Sequence, residues 1–269
     1  RGLALRYAGG AAGHRVADLT LGSEAWTLSG EAGIGAAAPF PVDGRLALAG
    51  DTAPGTAAAT LALSGTLAAL AVDARGTAGA SRFTARAALA PLAAVALVDV
   101  AVDAADLDLA AWDPGLPATR LTVVVRAQPA GDGLAGQVEA SNALAGALDA
   151  GRIPLSALTA RFAWQADALT LDDLAAQLPG GGRARGRASI PLGEGAGAGT
   201  WSLDVADVDL KRIYAPLIAT RISGRIAAEL DRDRQRISGE VGERAIAGGI
   251  ALGFRAAVTG TTVDVERFR

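Results

Sequence analysis

The chain has 269 residues, 51% of them apolar but only 4% aromatic, with 35 glycines and a formal net charge of -3. Small residues plus Leu and Val make up most of the apolar fraction, so the bulky aromatics that usually fill a closed core are scarce. The slight acidity gives no basic footprint for nucleic acid, and the absence of cysteine removes thiolate metal sites, thiol catalysis and disulfides.

A cysteine-free chain sits easily in an oxidising envelope compartment. The chain also has no methionine, and Arg1 opens directly on the strand-like Leu3–Tyr7. We therefore expect one continuous segment, residues 1–269, of a longer protein. No run of 18 apolar residues is present to span a bilayer as a helix; the nearest, Ala85–Val102, is broken by Arg86, Pro91 and Asp99.

In chain order, Leu19-Thr20-Leu21, Trp26-Thr27-Leu28, Leu46-Ala47-Leu48 and Leu61-Ala62-Leu63 alternate a large apolar residue with a small or polar one. The same alternation returns in Leu121–Val125, Leu203-Asp204-Val205, Ile222–Ile226 and Ile250–Phe254. A period of two places the large members on one face of a sheet. Turn signals punctuate these runs, among them Ser29-Gly30, Asp43-Gly44, Pro54-Gly55, Ser64-Gly65 and Gly131-Asp132-Gly133. The spacing is that of successive antiparallel strands. Alanine favours helix by propensity, but frequent Gly and Pro and the wrong period confine helix to two short insertions. These are expected at Leu107–Ala111 and Leu210–Tyr214, closed by Pro114 and Pro216. The fold class is therefore all-β: an extended, mostly antiparallel, repetitive sheet with short helical insertions.

The insertions expose an internal repeat, about residues 100–138 against 201–241. Asp103-Ala104-Ala105-Asp106-Leu107-Asp108-Leu109 returns as Asp204-Val205-Ala206-Asp207-Val208-Asp209-Leu210. Without a gap, Leu116-Pro117-Ala118-Thr119-Arg120-Leu121 returns as Leu217-Ile218-Ala219-Thr220-Arg221-Ile222. Two such copies indicate stacked similar units.

No catalytic or metal site is expected, and no cofactor. His14 is the only histidine, so dyads and two-histidine metal sites cannot be built, and its Gly13-His14-Arg15 setting suggests a solvated turn. The carboxylates Asp103, Asp106, Asp108 and Asp113 lack Ca²⁺-loop spacing; Asp106 is expected to cap the first insertion, with Asp108 toward solvent. Gly180-Gly181-Gly182 lacks the Lys-Ser/Thr of a phosphate loop and reads as a tight turn into a strand, Arg185–Ile190. Arg183, Arg185 and Arg187 alternate and so share one face. Asp231-Arg232-Asp233-Arg234 reads as a solvated hairpin tip. Nothing assembles a nucleophile, a base and an electrophilic stabiliser, so no enzyme is expected.

Several stretches resemble the TamB family of periplasm-spanning envelope proteins, the inner-membrane subunits of the translocation and assembly module, related to AsmA-like proteins. They are Asp106–Trp112 with Leu116-Pro117-Ala118-Thr119, then Asn142–Leu155, then Leu169–Leu174 and Leu178-Pro179-Gly180-Gly181-Gly182. The clear resemblance covers about Val100 to Ile190, and its specificity lies in the ordered set, since each motif marks only a turn or a strand boundary. It implies the amino-terminal to middle portion of such a protein. It also implies a curved sheet folded into a long open trough (a β-taco), anchored in the inner membrane by a segment outside this chain. The implied role is phospholipid movement between inner and outer membranes, with a part in outer-membrane protein assembly or secretion beside an outer-membrane barrel partner of TamA type. The implied location is the cell envelope, in the periplasmic part of an inner-membrane-anchored protein.

About twenty strands at roughly 4.8 Å would make a trough on the order of 100 Å long. On this reading the partners are phospholipid acyl chains, lying against the large members of the alternating runs: Leu46, Leu48, Leu61, Leu63, Leu121, Val123, Ile226, Leu252 and Phe254. The same residues would instead form a closed core if a second sheet covered them. The other class of reading is a structural or adhesive β-solenoid without lipid cargo, which calls for short rungs of near-constant length and polar ladders.

Overall fold

The computed structural model describes residues 2–165, 167–192, 198–231, 235–243, 250–259 and 262–268. The chain forms two compact units: Arg1–Leu116 with Arg120–Pro129, and Pro117–Thr119 with Ala130–Arg269.

Unit 1 holds β1 (Gly2–Gly10), β2 (Gly13–Gly22), β3 (Trp26–Gly35), β4 (Pro41–Thr52), β5 (Gly55–Thr66) and β6 (Ala69–Ala78). It continues with β7 (Ser81–Leu89), β8 (Leu97–Leu107), one helical turn α1 (Leu109–Trp112) and β9 (Leu121–Ala130). Unit 2 holds β10 (Gly133–Asn142), β11 (Ala157–Gln165), β12 (Ala168–Gln177), β13 (Arg183–Pro191) and β14 (Gly199–Val208). After the second helical turn, α2 (Leu210–Ile213), come β15 (Ile222–Leu230), β16 (Gln235–Glu243), β17 (Ile250–Thr259) and β18 (Thr262–Phe268).

Within unit 1 each strand pairs antiparallel with the next. The same holds within unit 2. The fold is thus all-β, with antiparallel meanders in place of the parallel rungs that a β-helix stacks. Neither meander closes into a barrel: no pairing joins β1 to β9, or β10 to β18, among the described residues. Each meander, taken by itself, fits an extended, curved trough.

Each unit is one sheet thick. Among the described residues only Ala257 is less than 2% exposed, and the buried apolar residues are seven alanines with Leu174 and Val208. A sandwich would bury its Leu, Val and Phe side chains between two layers.

The alternation is interrupted in the same way in four strands. Val16-Ala17-Asp18-Leu19, Ala104-Ala105-Asp106-Leu107, Leu171-Asp172-Asp173-Leu174 and Val205-Ala206-Asp207-Val208 each hold two residues opposite one on a neighbouring strand, as the register shifts show. These are β-bulges. In every case the aspartate adopts a left-handed backbone, with φ of 52° at Asp18, 56° at Asp106, 49° at Asp173 and 52° at Asp207. Asp tolerates this conformation better than most non-glycine residues because its short polar side chain bonds locally. Each carboxylate also meets an arginine on or beside an adjacent strand. The pairs are Arg6–Asp18 at 3.0 Å, Arg82–Asp106, Arg161–Asp173 and Arg221–Asp207 at 3.6 Å.

This corrects the expected role of Asp106. It is the bulge residue that ends β8, and Asp108 is the cap: its carboxylate accepts from Ala110 N at 3.2 Å at the start of α1. The helical turn accordingly starts at Leu109, not Leu107. The second copy repeats the plan, with Asp207 in the bulge and Asp209 accepting from Lys211 N and from Thr220 N. The Thr220 hydroxyl bridges the same corner, accepting from Leu210 N and donating to Val208 O. Residues 100–138 and 201–241 run through the same order of strand, bulge, capped turn and hairpin.

Candidate functional site: the apolar face of each sheet

Cross-strand partners in an antiparallel ladder share a face, so the register maps each face residue by residue. In unit 1 one row runs unbroken across nine strands: Leu3, Leu21, Leu28, Leu48, Ala59, Gly76, Phe83, Ala104 and Val123. A second row on the same face runs Leu46, Leu61, Ala74, Ala85, Val102 and Val125. A third runs Gly44, Leu63, Val72, Ala87, Val100 and Ala127. No described charged side chain interrupts any of the three. The opposite face carries the ion pairs Arg15–Asp43, Arg86–Asp73 and Arg126–Asp103 at 2.8 to 3.1 Å. The hydrogen bond from Arg15 to Asp43 raises the Arg15 pKa, aided by the charges of Asp43 and Glu31.

Unit 2 is divided in the same way. Gly136, Phe162, Leu171, Ala188, Trp201, Ala228, Ile237 and Ala256 form one apolar row. Leu203, Ile226, Gly239 and Phe254 form another. The other face holds Arg185, Asp204, Arg225 and Glu240 in register. Arg183, Arg185 and Arg187 do share this polar face and are exposed. A depression of about 350 Å³ on it is lined by Arg225, Ser238, Glu240 and Arg255.

All nine residues picked from the sequence fall on these apolar faces. In unit 1 the structure brings Leu46 directly opposite Leu61 and sets Leu48, Leu63, Leu121 and Val123 on the same side. In unit 2 Ile226 and Phe254 flank Gly239, and Leu252 lies opposite Val241. Each face extends further than the alternating runs suggest: Leu3, Val72, Phe83, Val102, Phe162 and Trp201 belong to it as fully. The signal was present in Ser81-Arg82-Phe83-Thr84-Ala85, which alternates as cleanly as the runs that were chosen.

The faces remain accessible within their units. Leu3 is 63% exposed, Leu21 47% and Leu48 37%. They are also low in relief, because aromatic rings lie down over glycines. Phe83 covers Gly76, Trp26 covers Gly50, where a Cβ would sit 2.6 Å from the indole, and Phe254 covers Gly239. At each of these points a Cβ would meet the ring and, within 3 Å, a backbone carbonyl as well. The result is a surface, not a pocket: it can hold an elongated apolar molecule by area alone and offers no fixed polar anchor.

The remaining candidates for chemistry do not converge. His14 lies in β2, not in a turn; its Nδ1 is 2.7 Å from Tyr7 Oη, and the two exposed rings stack at 6.1 Å. Among the described residues no three His, Asp or Glu side chains group as metal ligands, and no helix is long and apolar enough to cross a membrane. Arg232, Asp233 and Arg234 of the expected hairpin tip lie outside the described residues. No protein-family model matches the chain, and neither a curated protein nor a solved structure matches it.

Proposed function

We propose that the apolar faces carry lipid acyl chains, and that the chain serves as part of a bridge conducting phospholipids between inner and outer membrane. The observation that carries this reading is a face of Leu, Val and Phe, interspersed with Ala and Gly, that continues uncharged across nine strands of unit 1 while remaining partly exposed. Apolar patches of that extent are unusual on a soluble surface and mark a site of contact with protein, membrane or ligand. A sixteen-carbon chain crossing water exposes methylenes at about 0.8 kcal/mol each, a barrier of about 12 kcal/mol. A continuous apolar floor removes most of that barrier, and low relief keeps the cargo from being trapped at one point.

The resemblance of Val100–Ile190 to the TamB family supports lipid as the cargo. It also supports a periplasmic location, an inner-membrane anchor and a barrel partner of TamA type in the outer membrane, with a part in outer-membrane protein assembly. The test is photo-crosslinking in cells from positions of opposite face: Leu61 and Val123 against Thr60. Thr60 lies on the opposite face, opposite Ala47 and Arg75, in strands that pair without a register shift. Phospholipid captured from Leu61 and Val123 but not Thr60 is expected; capture from Thr60 alone would overturn the reading.

A further inference from the structure

The four bulges are not needed to keep the sheet amphipathic. In β8, Ala105 and Asp106 together face the single Thr122, and Ala104 and Leu107 both point to the apolar face. Deleting either bulge residue would leave Ala104 and Leu107 two positions apart, still on that face. The extra residue, with its left-handed aspartate, must therefore supply something else, and what a bulge supplies is a local bend with added right-handed twist.

Two independent observations point the same way. After three of the four bulged strands, the next strand places a glycine beside the bulge: Gly30, Gly186 and Gly224. A Cβ at these positions would run into the carbonyls of Arg45, Ser202 and Glu240 respectively, on the strand beyond, so the backbone there admits no side chain. Further, Leu174 and Val208 are the only bulky apolar side chains buried in the described structure, and each immediately follows a bulge aspartate. Both lie on the apolar face, as they would if the bends close toward it.

We propose that the bulges at Asp18, Asp106, Asp173 and Asp207 place fixed bends in the sheets at the sequence signature Φ-(Ala/Asp)-Asp-Φ, where Φ is Ala, Leu or Val: the extra residue sets the bend, and the aspartate with its arginine stabilises it. In unit 1 the bends on β2 and β8 bracket a regular span, β3 to β7, whose strands pair without a register shift. In unit 2 the bends on β12 and β14 lie on either side of β13 and fold the sheet about it; Ala184 and Ala188 on β13 are buried there. This inference rests on register and backbone conformation, and stands whether or not the cargo is lipid.

The chain has no cysteine, so paired spin labels can be introduced without removing any. Labels at Ala4→Cys and Thr60→Cys lie on the polar face and span the β2 bulge at about 19 Å, four strand spacings. Labels at Ser29→Cys and Thr84→Cys lie on the same face within the regular span, again four spacings apart. Deletion of Asp18 is expected to shorten the first distance by several ångströms and leave the second unchanged, while Asp18→Gly, which keeps the bulge without the carboxylate, leaves both unchanged. Should loss of Asp18 prevent folding, deletion of Asp106 read from labels at Thr60→Cys and Val124→Cys asks the same question at β8. A first distance unmoved by deletion in a chain that retains its β-sheet circular dichroism would overturn the proposal, as would an equal change in both pairs.

Discussion

The two units share a strand pattern and differ in where they bend. Unit 1 separates its bulges by five regular strands, and the residues it buries are small: Ala57, Ala78 and Ala127. Unit 2 sets its bulges two strands apart and buries Leu174 and Val208 beside them. Burial in a one-layer sheet thus follows curvature. A flat span leaves its Leu and Val half exposed, and a sharp bend folds the apolar face in on itself. The flat span is the better floor for an elongated ligand, and the bend is the better source of stability.

The largest effect should separate the units directly. Leu174→Ala removes a side chain that is 4% exposed and should cost about 2 to 4 kcal/mol. Leu61→Ala removes one that is only half buried and should cost about 1 kcal/mol. Hydrogen exchange, read strand by strand in each unit, checks both, and equal losses would break the link between bend and burial.

Next come the bulges. Asp106→Val and Asp207→Val place a β-branched residue at positive φ and should each cost about 1 to 3 kcal/mol. Asp106→Gly and Asp207→Gly should lose well under half of that, because glycine accepts the conformation freely. Denaturation of the four variants under one set of conditions supplies the comparison, and Gly variants as unstable as Val would shift the weight from backbone conformation to the arginine pair.

Smaller still, loss of either helix cap in Asp108→Ala or Asp209→Ala should cost about 1 kcal/mol. It should show as faster exchange confined to the following turn. The smallest effect belongs to the exposed polar face, where Arg86→Ala should cost less than about 0.5 kcal/mol and less again in high salt.

Much of this architecture could be read from the sequence. Leu46-Ala47-Leu48 and Leu61-Ala62-Leu63 state their period openly, and Leu46 does face Leu61. The Arg183, Arg185, Arg187 alternation lies on the polar side of β13 as period two requires. The helical turns were legible as well, because proline closes each one.

The bulges were harder to read. In Asp106-Leu107-Asp108 two aspartates sit two apart ahead of a short helix, and either suits an N-cap by residue type. What separates them is backbone conformation: Asp106 has φ of 56°, whereas Asp108, at φ -106°, is extended as a cap must be. Alternation alone could not decide it, since a three-residue spacing of apolar side chains also occurs along helices. Only the recurrence of Ala-Asp or Asp-Asp between two apolar residues in four strands, seen beside the register, reveals one device. The exposure of the apolar face was not legible either, because period two shows which side chains share a face but says nothing of what lies over it.

On the proposed function this face takes up acyl chains while the opposite face does not. The direct test is an environment-sensitive fluorophore on Leu61→Cys, and separately on Thr60→Cys, in the purified chain titrated with a sixteen-carbon lysophospholipid below its micelle concentration. A saturable blue shift at Leu61→Cys with none at Thr60→Cys is predicted; no shift at Leu61→Cys, or the same shift at both, would contradict it.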